Sequence, residues 1–160
     1  MSNPLDPANA RTAIENLMFT YAERIDAGDF KGLSQLFKKA RIVGPKGNVQ
    51  GTGAAEIEQI YDRSTQVYAD GSPMTQHVTT NVILDFAKDY RTCNVRSRFT
   101  VVQAVDGFTL QPIITGTYLD VLVKENGAWK FIERREVMGQ IGDLSDHLLQ
   151  PIPREGPGTA

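Results

Sequence analysis

Apolar residues in the first third of the chain recur at helical spacing, whereas the second half is built of long β-rich runs broken by turn dipeptides. Ile14, Leu17, Met18, Tyr21 and Ile25 fall on one stripe at about 100° per residue, so a long amphipathic helix opens the chain. Asp6 followed by Pro7 reads as its N-cap and first helical position. Gly28 ends this helix and Asp29 caps the next turn. Phe30, Leu33, Leu36 and Phe37 then make a second, shorter stripe. Pro45, Gly47, Asn48 and Gly51 within residues 41–52 predict two small strands around a tight turn. Ile57, Ile60 and Tyr61 fit a third helix over residues 54–67.

Four β-rich stretches follow, at residues 75–87, 92–105, 109–123 and 129–138. Lys88-Asp89, Asp106-Gly107 and Asn126-Gly127 stand between them as hairpin turns, which makes an antiparallel meander the natural arrangement. Strands this long must twist and bend, and a curved sheet leaves a concave face for the first helix to cover. The expected fold is therefore α+β: three N-terminal helices packed on a strongly curved, mostly antiparallel sheet, forming a cone with a pocket. Residues 1–139 read as this domain and residues 140–160 as a tail. The tail carries an apolar patch around Leu148 and Leu149, then PIPREGPGTA, whose proline and glycine content suits a lid, a partner contact or disorder. Ile113, Leu119 and Val121 alternate with Ile114, Tyr118 and Leu122, so both faces of the sheet are apolar. A homo-oligomer is the simplest cover for the second face.

At 160 residues and 41% hydrophobic composition, the chain has the size and apolar content of one domain with one core. Its 17 Lys plus Arg and 19 Asp plus Glu are scattered, with no basic stripe, which argues against nucleic acid as a partner. No apolar run approaches a membrane span, and the start MSNPLDPANA has neither the basic nor the apolar region of a signal peptide, so a cytoplasmic location is expected. Cys93 is the single cysteine, which excludes an intramolecular disulfide and points to a small buried residue. His77 and His147 show no ligand spacing, and no metal is expected. GxSxG, GxGxxG and GxxxxGK[ST] patterns are missing from the chain, which removes serine-hydrolase, dinucleotide-binding and P-loop readings.

Asp26 lies at the rim of the first helix's apolar stripe, placed either to accept hydrogen bonds at the helix end or to serve a pocket. By a period of two, His77, Thr79 and Asn81 share one face of the strand, and Val78, Val82, Leu84 and Phe86 form an apolar counterpart. The polar face meets water or lines a wet cavity, and in the latter case Asn81 is a candidate substrate-binding residue. A carboxylate within reach of His77 would fix its tautomer and raise its basicity. Arg134 and Arg135, in WKFIERREV, must point to opposite faces. One of them either enters the pocket to bind an anionic group or oxyanion, or pairs with Glu133 or Glu136 at the surface. Tyr21 is core by its position, with a hydroxyl free to donate to a substrate.

The runs IENLMFTYAERIDAGDFKGLSQLF, GTGAAEI, TQHVTTNVIL and GTYLDVLVKENGAWKFIERREV, in that order over residues 14–137, resemble the SnoaL-like families of the nuclear transport factor 2-like superfamily. The resemblance implies a cystatin-like roll. It points to scytalone dehydratase, the bile-acid dehydratase and the hexachlorocyclohexane dehydrochlorinase, which eliminate water or HCl through an Asp and His pair. Asp26 and His77 match that pair, Tyr21 matches a helix tyrosine, and Arg134 is the choice for an arginine on the last strand. The implied activity is a lyase or isomerase without cofactor, acting on a small apolar cyclic or polycyclic compound, in a dimer or trimer. A second histidine on the following strand, as in scytalone dehydratase, has no counterpart in NVRSRFTVV. The same fold also serves non-catalytic ligand-binding and assembly subunits.

Overall fold

In the computed structural model, which describes residues 7–151, the first stripe becomes α1 (Pro7–Asp26), burying Ile14, Met18, Tyr21, Ala22 and Ile25. Asp6, the expected N-cap, lies outside the described residues. The chain leaves α1 through Gly28 at φ +70°, and a Cβ there would stand 2.1 Å from the Gly71 carbonyl oxygen. Only glycine tolerates both the conformation and that approach, so the end of α1 is seated on the loop of residues 69–74. Asp29 then caps α2 (Phe30–Gln35) by accepting from the Gly32 amide at 2.8 Å.

The short strands β1 (Arg41–Val43) and β2 (Val49–Thr52) lead into α3 (Gly53–Ser64), which buries Ile57 and Tyr61. This helix is shorter than its apolar pattern predicts because Thr65 is already extended and bridges Leu148, while the Gln66 amide donates to the His147 carbonyl. The meander follows as β3 (Thr75–Phe86), β4 (Thr92–Val105), β5 (Phe108–Glu125) and β6 (Ala128–Ile141). Asn126 and Gly127 both take positive φ, as a type I′ hairpin turn requires. The six strands lie in the order β2-β1-β6-β5-β4-β3, antiparallel except for the β1–β6 pair. The fold is α+β, with α1 laid across β3 and β6 and α3 packed on α2 and β2. Alternate residues of β4, from Cys93 through Val95, Ser97, Phe99 and Val101 to Gln103, are buried on the inner face. Cys93 is a free, buried thiol.

The pleat of β3 is interrupted. Asn81 takes φ +54°, and the pairing with β4 slips between Thr80 and Ile83, which marks a bulge. The alternation is displaced by one residue across it: His77 and Thr79 face inward with Val82, Leu84 and Phe86, while Val78 and Ile83 face out. Asn81, expected beside His77, is therefore exposed at the bulge, and Val78 does not belong to the apolar inner set.

After β6 the chain turns back. The Gly142 amide donates to the Ile113 carbonyl, the Leu149 amide to the Ser64 carbonyl, and the Tyr68 hydroxyl to the Asp146 carbonyl at 2.6 Å. The Gln103 side-chain amide donates to both the Pro73 and Asp146 carbonyls, tying this returning segment to the loop before β3. Residues 142–151 are thus held against the end of α3 and the loop before β3. The stretch 152–160 lies outside the described residues. No helix among the described residues is long and apolar enough to cross a membrane.

Candidate active site

Asp26 is the last residue of α1, and the seating of Gly28 on the 69–74 loop brings it to the first residues of β3. Three donors converge on its carboxylate. Thr75 Oγ1 donates at 2.9 Å, the His77 backbone amide at 2.7 Å, and His77 Nδ1 lies 2.6 Å from Oδ1. The C-terminal end of a helix is the least favourable place for an anion, and these donors offset that field. A carboxylate oxygen accepts, so Nδ1 is the donor in this contact and Nε2 is the ring nitrogen turned away from Asp26.

His77 lines a cavity of about 260 Å³ inside the cone. Tyr21, Tyr61, Phe99, Glu136 and His147 share its wall with aliphatic residues including Val101 and Leu148. The Tyr21 and Tyr61 hydroxyls are 3.0 Å apart, and Tyr21 also donates to Glu136 Oε1 at 3.4 Å. Burial pushes Tyr21, Tyr61 and the neighbouring Tyr118 well above the usual phenol range, so all three are neutral donors. Burial likewise raises the Glu136 carboxyl, against the opposing pull of Arg134. His147 moves the other way, pushed down to about 4 by burial, so this imidazole is neutral. A larger hollow, about 490 Å³, lies on the outer face around Ile83, Arg96, Leu119 and Arg135; none of Asp26, His77 or Tyr21 reaches it.

Arg134 is the inward arginine, but it does not line the cavity. It is fully buried and makes a bidentate pair with Asp120, both contacts at 2.8 Å. Its guanidinium lies 4.2 Å from the Tyr21 ring centroid and 4.0 Å from that of Tyr118. Nη1 has no hydrogen-bond acceptor, and the two ring faces take its place. Burial opposes the charge and Asp120 outweighs it, so the guanidinium stays charged. The expectation that Arg134 binds an anionic substrate group is corrected: its charge is spent on Asp120, behind the tyrosines. Arg135 faces outward, 3.7 Å from Glu133.

The sequence profile of the SnoaL-like domain matches residues 6–135. The chain belongs to the SnoaL-like domain family. Solved structures agree on the fold. A provisionally assigned scytalone dehydratase from Novosphingobium aromaticivorans superposes with a TM-score of 0.68 at 23% identity, covering 92% of this chain and 95% of that one. LinA gives 0.66 at 18% identity, over 92% and 98% of the two chains. An NTF2-like protein with a cystatin-like fold from Novosphingobium aromaticivorans gives 0.64 at 17% identity, over 80% of each. No curated protein sequence matches the chain.

Of the residues singled out in the sequence, this SnoaL-like domain brings His77 and Tyr21 to one cavity, holds Asp26 behind the His77 ring, and leaves Arg134 behind the tyrosines and Asn81 outside. Glu136 and His147 are the titratable carboxyl and imidazole of the cavity wall that the sequence reading did not assign to it. Glu136 shares the strand face of Arg134 by the period of two, so choosing Arg134 as inward already implied it. His147 had a weaker signal: it lies between Leu144 and the Leu148-Leu149 patch, among the few apolar residues of the tail.

Proposed function

We propose that this SnoaL-like domain is a lyase or isomerase of dehydratase type, working without a cofactor on a small, mostly apolar cyclic compound. The observation that carries the reading is the 2.6 Å contact between Asp26 and His77 Nδ1 at the wall of an inner cavity. His77 Nε2 is the general base that takes a proton from a substrate carbon. Asp26 orients the ring and stabilises the imidazolium that forms. The electron pair of the broken C–H bond then makes a new double bond, either expelling a leaving group or shifting until a proton is returned. Tyr21 polarises a substrate oxygen by turning its single O–H from Glu136 to the ligand, with Tyr61 donating to the Tyr21 oxygen. Arg134 holds the Tyr21 and Tyr118 rings rather than a substrate charge, which favours an uncharged ligand. The likeness to a structure described as a scytalone dehydratase supports an elimination.

The test is a screen of cyclic alcohols, halides and enones, following the ultraviolet absorbance of a newly conjugated double bond. Turnover by the wild-type protein, reduced on the order of 10³- to 10⁴-fold in kcat by Asp26→Asn, is the expected result. Tight binding without turnover would replace this reading with that of a binding module.

A further inference from the structure

His147 is the cavity residue that proton transfer at His77 does not use. Its backbone is fixed on both sides, the amide donating to Leu144 and the carbonyl accepting from Gln66. Leu144 and Leu148 flank it on the wall. The residue is 8% exposed, and its Nδ1 is buried with no hydrogen-bond partner in the protein. Buried polar nitrogens are paired almost without exception; Nδ1 is itself sealed from the cavity, and a turn of the ring about χ2 toward the wall that His147 lines brings it to a ligand atom. A neutral imidazole offers both an N–H and a lone pair, so it can meet a hydroxyl or a carbonyl oxygen.

We propose that His147 binds the ligand directly, hydrogen-bonding an oxygen on the ring compound, so that the returning C-terminal segment selects oxygenated rings over bare hydrocarbons. The inference rests on the cavity being the ligand site of the proposed function. It does not require that the ligand react. It also gives that segment a chemical part in recognition: without residues 142–151 the cavity loses this contact along with Leu144 and Leu148.

The full-length protein is titrated with 2-naphthol and with naphthalene, in the wild type and in His147→Phe, His147→Leu and His147→Asn. The quantity read is the ratio of the two affinities, which cancels the apolar contribution the compounds share. Either apolar variant is expected to lower the ratio about tenfold, the worth of one hydrogen bond to a buried partner. His147→Asn, which keeps a donor and an acceptor, retains most of the ratio. A ratio unchanged within about twofold in whichever apolar variant folds overturns the proposal, as does failure of both compounds to bind the wild type. Failure of the catalytic reading looks different: the wild type turns over nothing while the ratio still falls on loss of the imidazole.

Discussion

Two aspartates inside the cone are paired with nitrogen side chains, and the pairs differ in what they leave open. Arg134 and Asp120 meet in a bidentate pair with both side chains fully buried, and the tyrosine rings cover what remains of the guanidinium. Asp26 and His77 meet through the His77 backbone amide and one ring nitrogen, with the side chains 20% and 6% exposed. The first pair is closed to chemistry because every strong donor and acceptor has a protein partner or a ring. The second fixes one end of an imidazole and leaves the other end for a ligand. Saturation, rather than charge or depth alone, separates a structural pair from a candidate catalytic one.

The largest expected effect tests the open pair. Asp26→Asn should lower kcat by about 10³- to 10⁴-fold, equivalent to roughly 4 to 5.5 kcal/mol in barrier, on whichever substrate the screen finds. A loss below tenfold would put the two pairs on the same footing. Next comes the closed pair. Arg134→Met strands Asp120 in an apolar interior and should cost about 3–5 kcal/mol in urea unfolding, whereas joint replacement by Met and Leu should recover most of that loss. Stability recovered in the double variant together with retained turnover would mark the pair as architectural.

His147 supplies a third effect. Its folded value of about 4 lies below the ordinary 6.5, so the unfolded chain takes up the proton more readily. The stabilisation is therefore complete above pH 6.5 and is lost as pH falls toward 4, amounting to about 3 kcal/mol. Urea midpoints for the wild type and His147→Phe, measured at neutral pH and near pH 4.5, isolate this contribution: only the wild type should show it. Asn81→Ala is the smallest effect. Its exposure at the bulge predicts unchanged ligand affinity and a stability loss of about 1 kcal/mol or less, from a positive φ that alanine tolerates poorly.

The residues that escaped the sequence reading share a cause. Helix α1, its end at Gly28, the cap at Asp29 and the three hairpin turns are written in local patterns, and each formed where those patterns placed it. Asp26 and His77 lie 51 residues apart, so no spacing rule joins them, and their pairing was expected only from the family resemblance. Asn81 was misplaced because a bulge inverts the inside and outside of a strand without changing its composition. Another slip in pairing, between Val121 and Leu122 of β5 opposite β6, stands before Arg134 and is equally silent in the sequence. The docking of His147 depends on backbone bonds to residues 64–66, and side-chain pattern carries no trace of those.

The returning segment has a kinetic consequence. Because the carbonyl of His147 and the amide of Leu149 are held at the end of α3, a ligand that also grips the His147 ring strengthens the attachment it must later break to leave. Residence time in the cavity and local opening of the C-terminal segment then become one process. The amides of Gln66 and Leu149 report it: their hydrogen exchange slows when the cavity is occupied, and where intrinsic exchange outpaces reclosing the bound-state exchange rate equals the opening rate and sets an upper limit on product release.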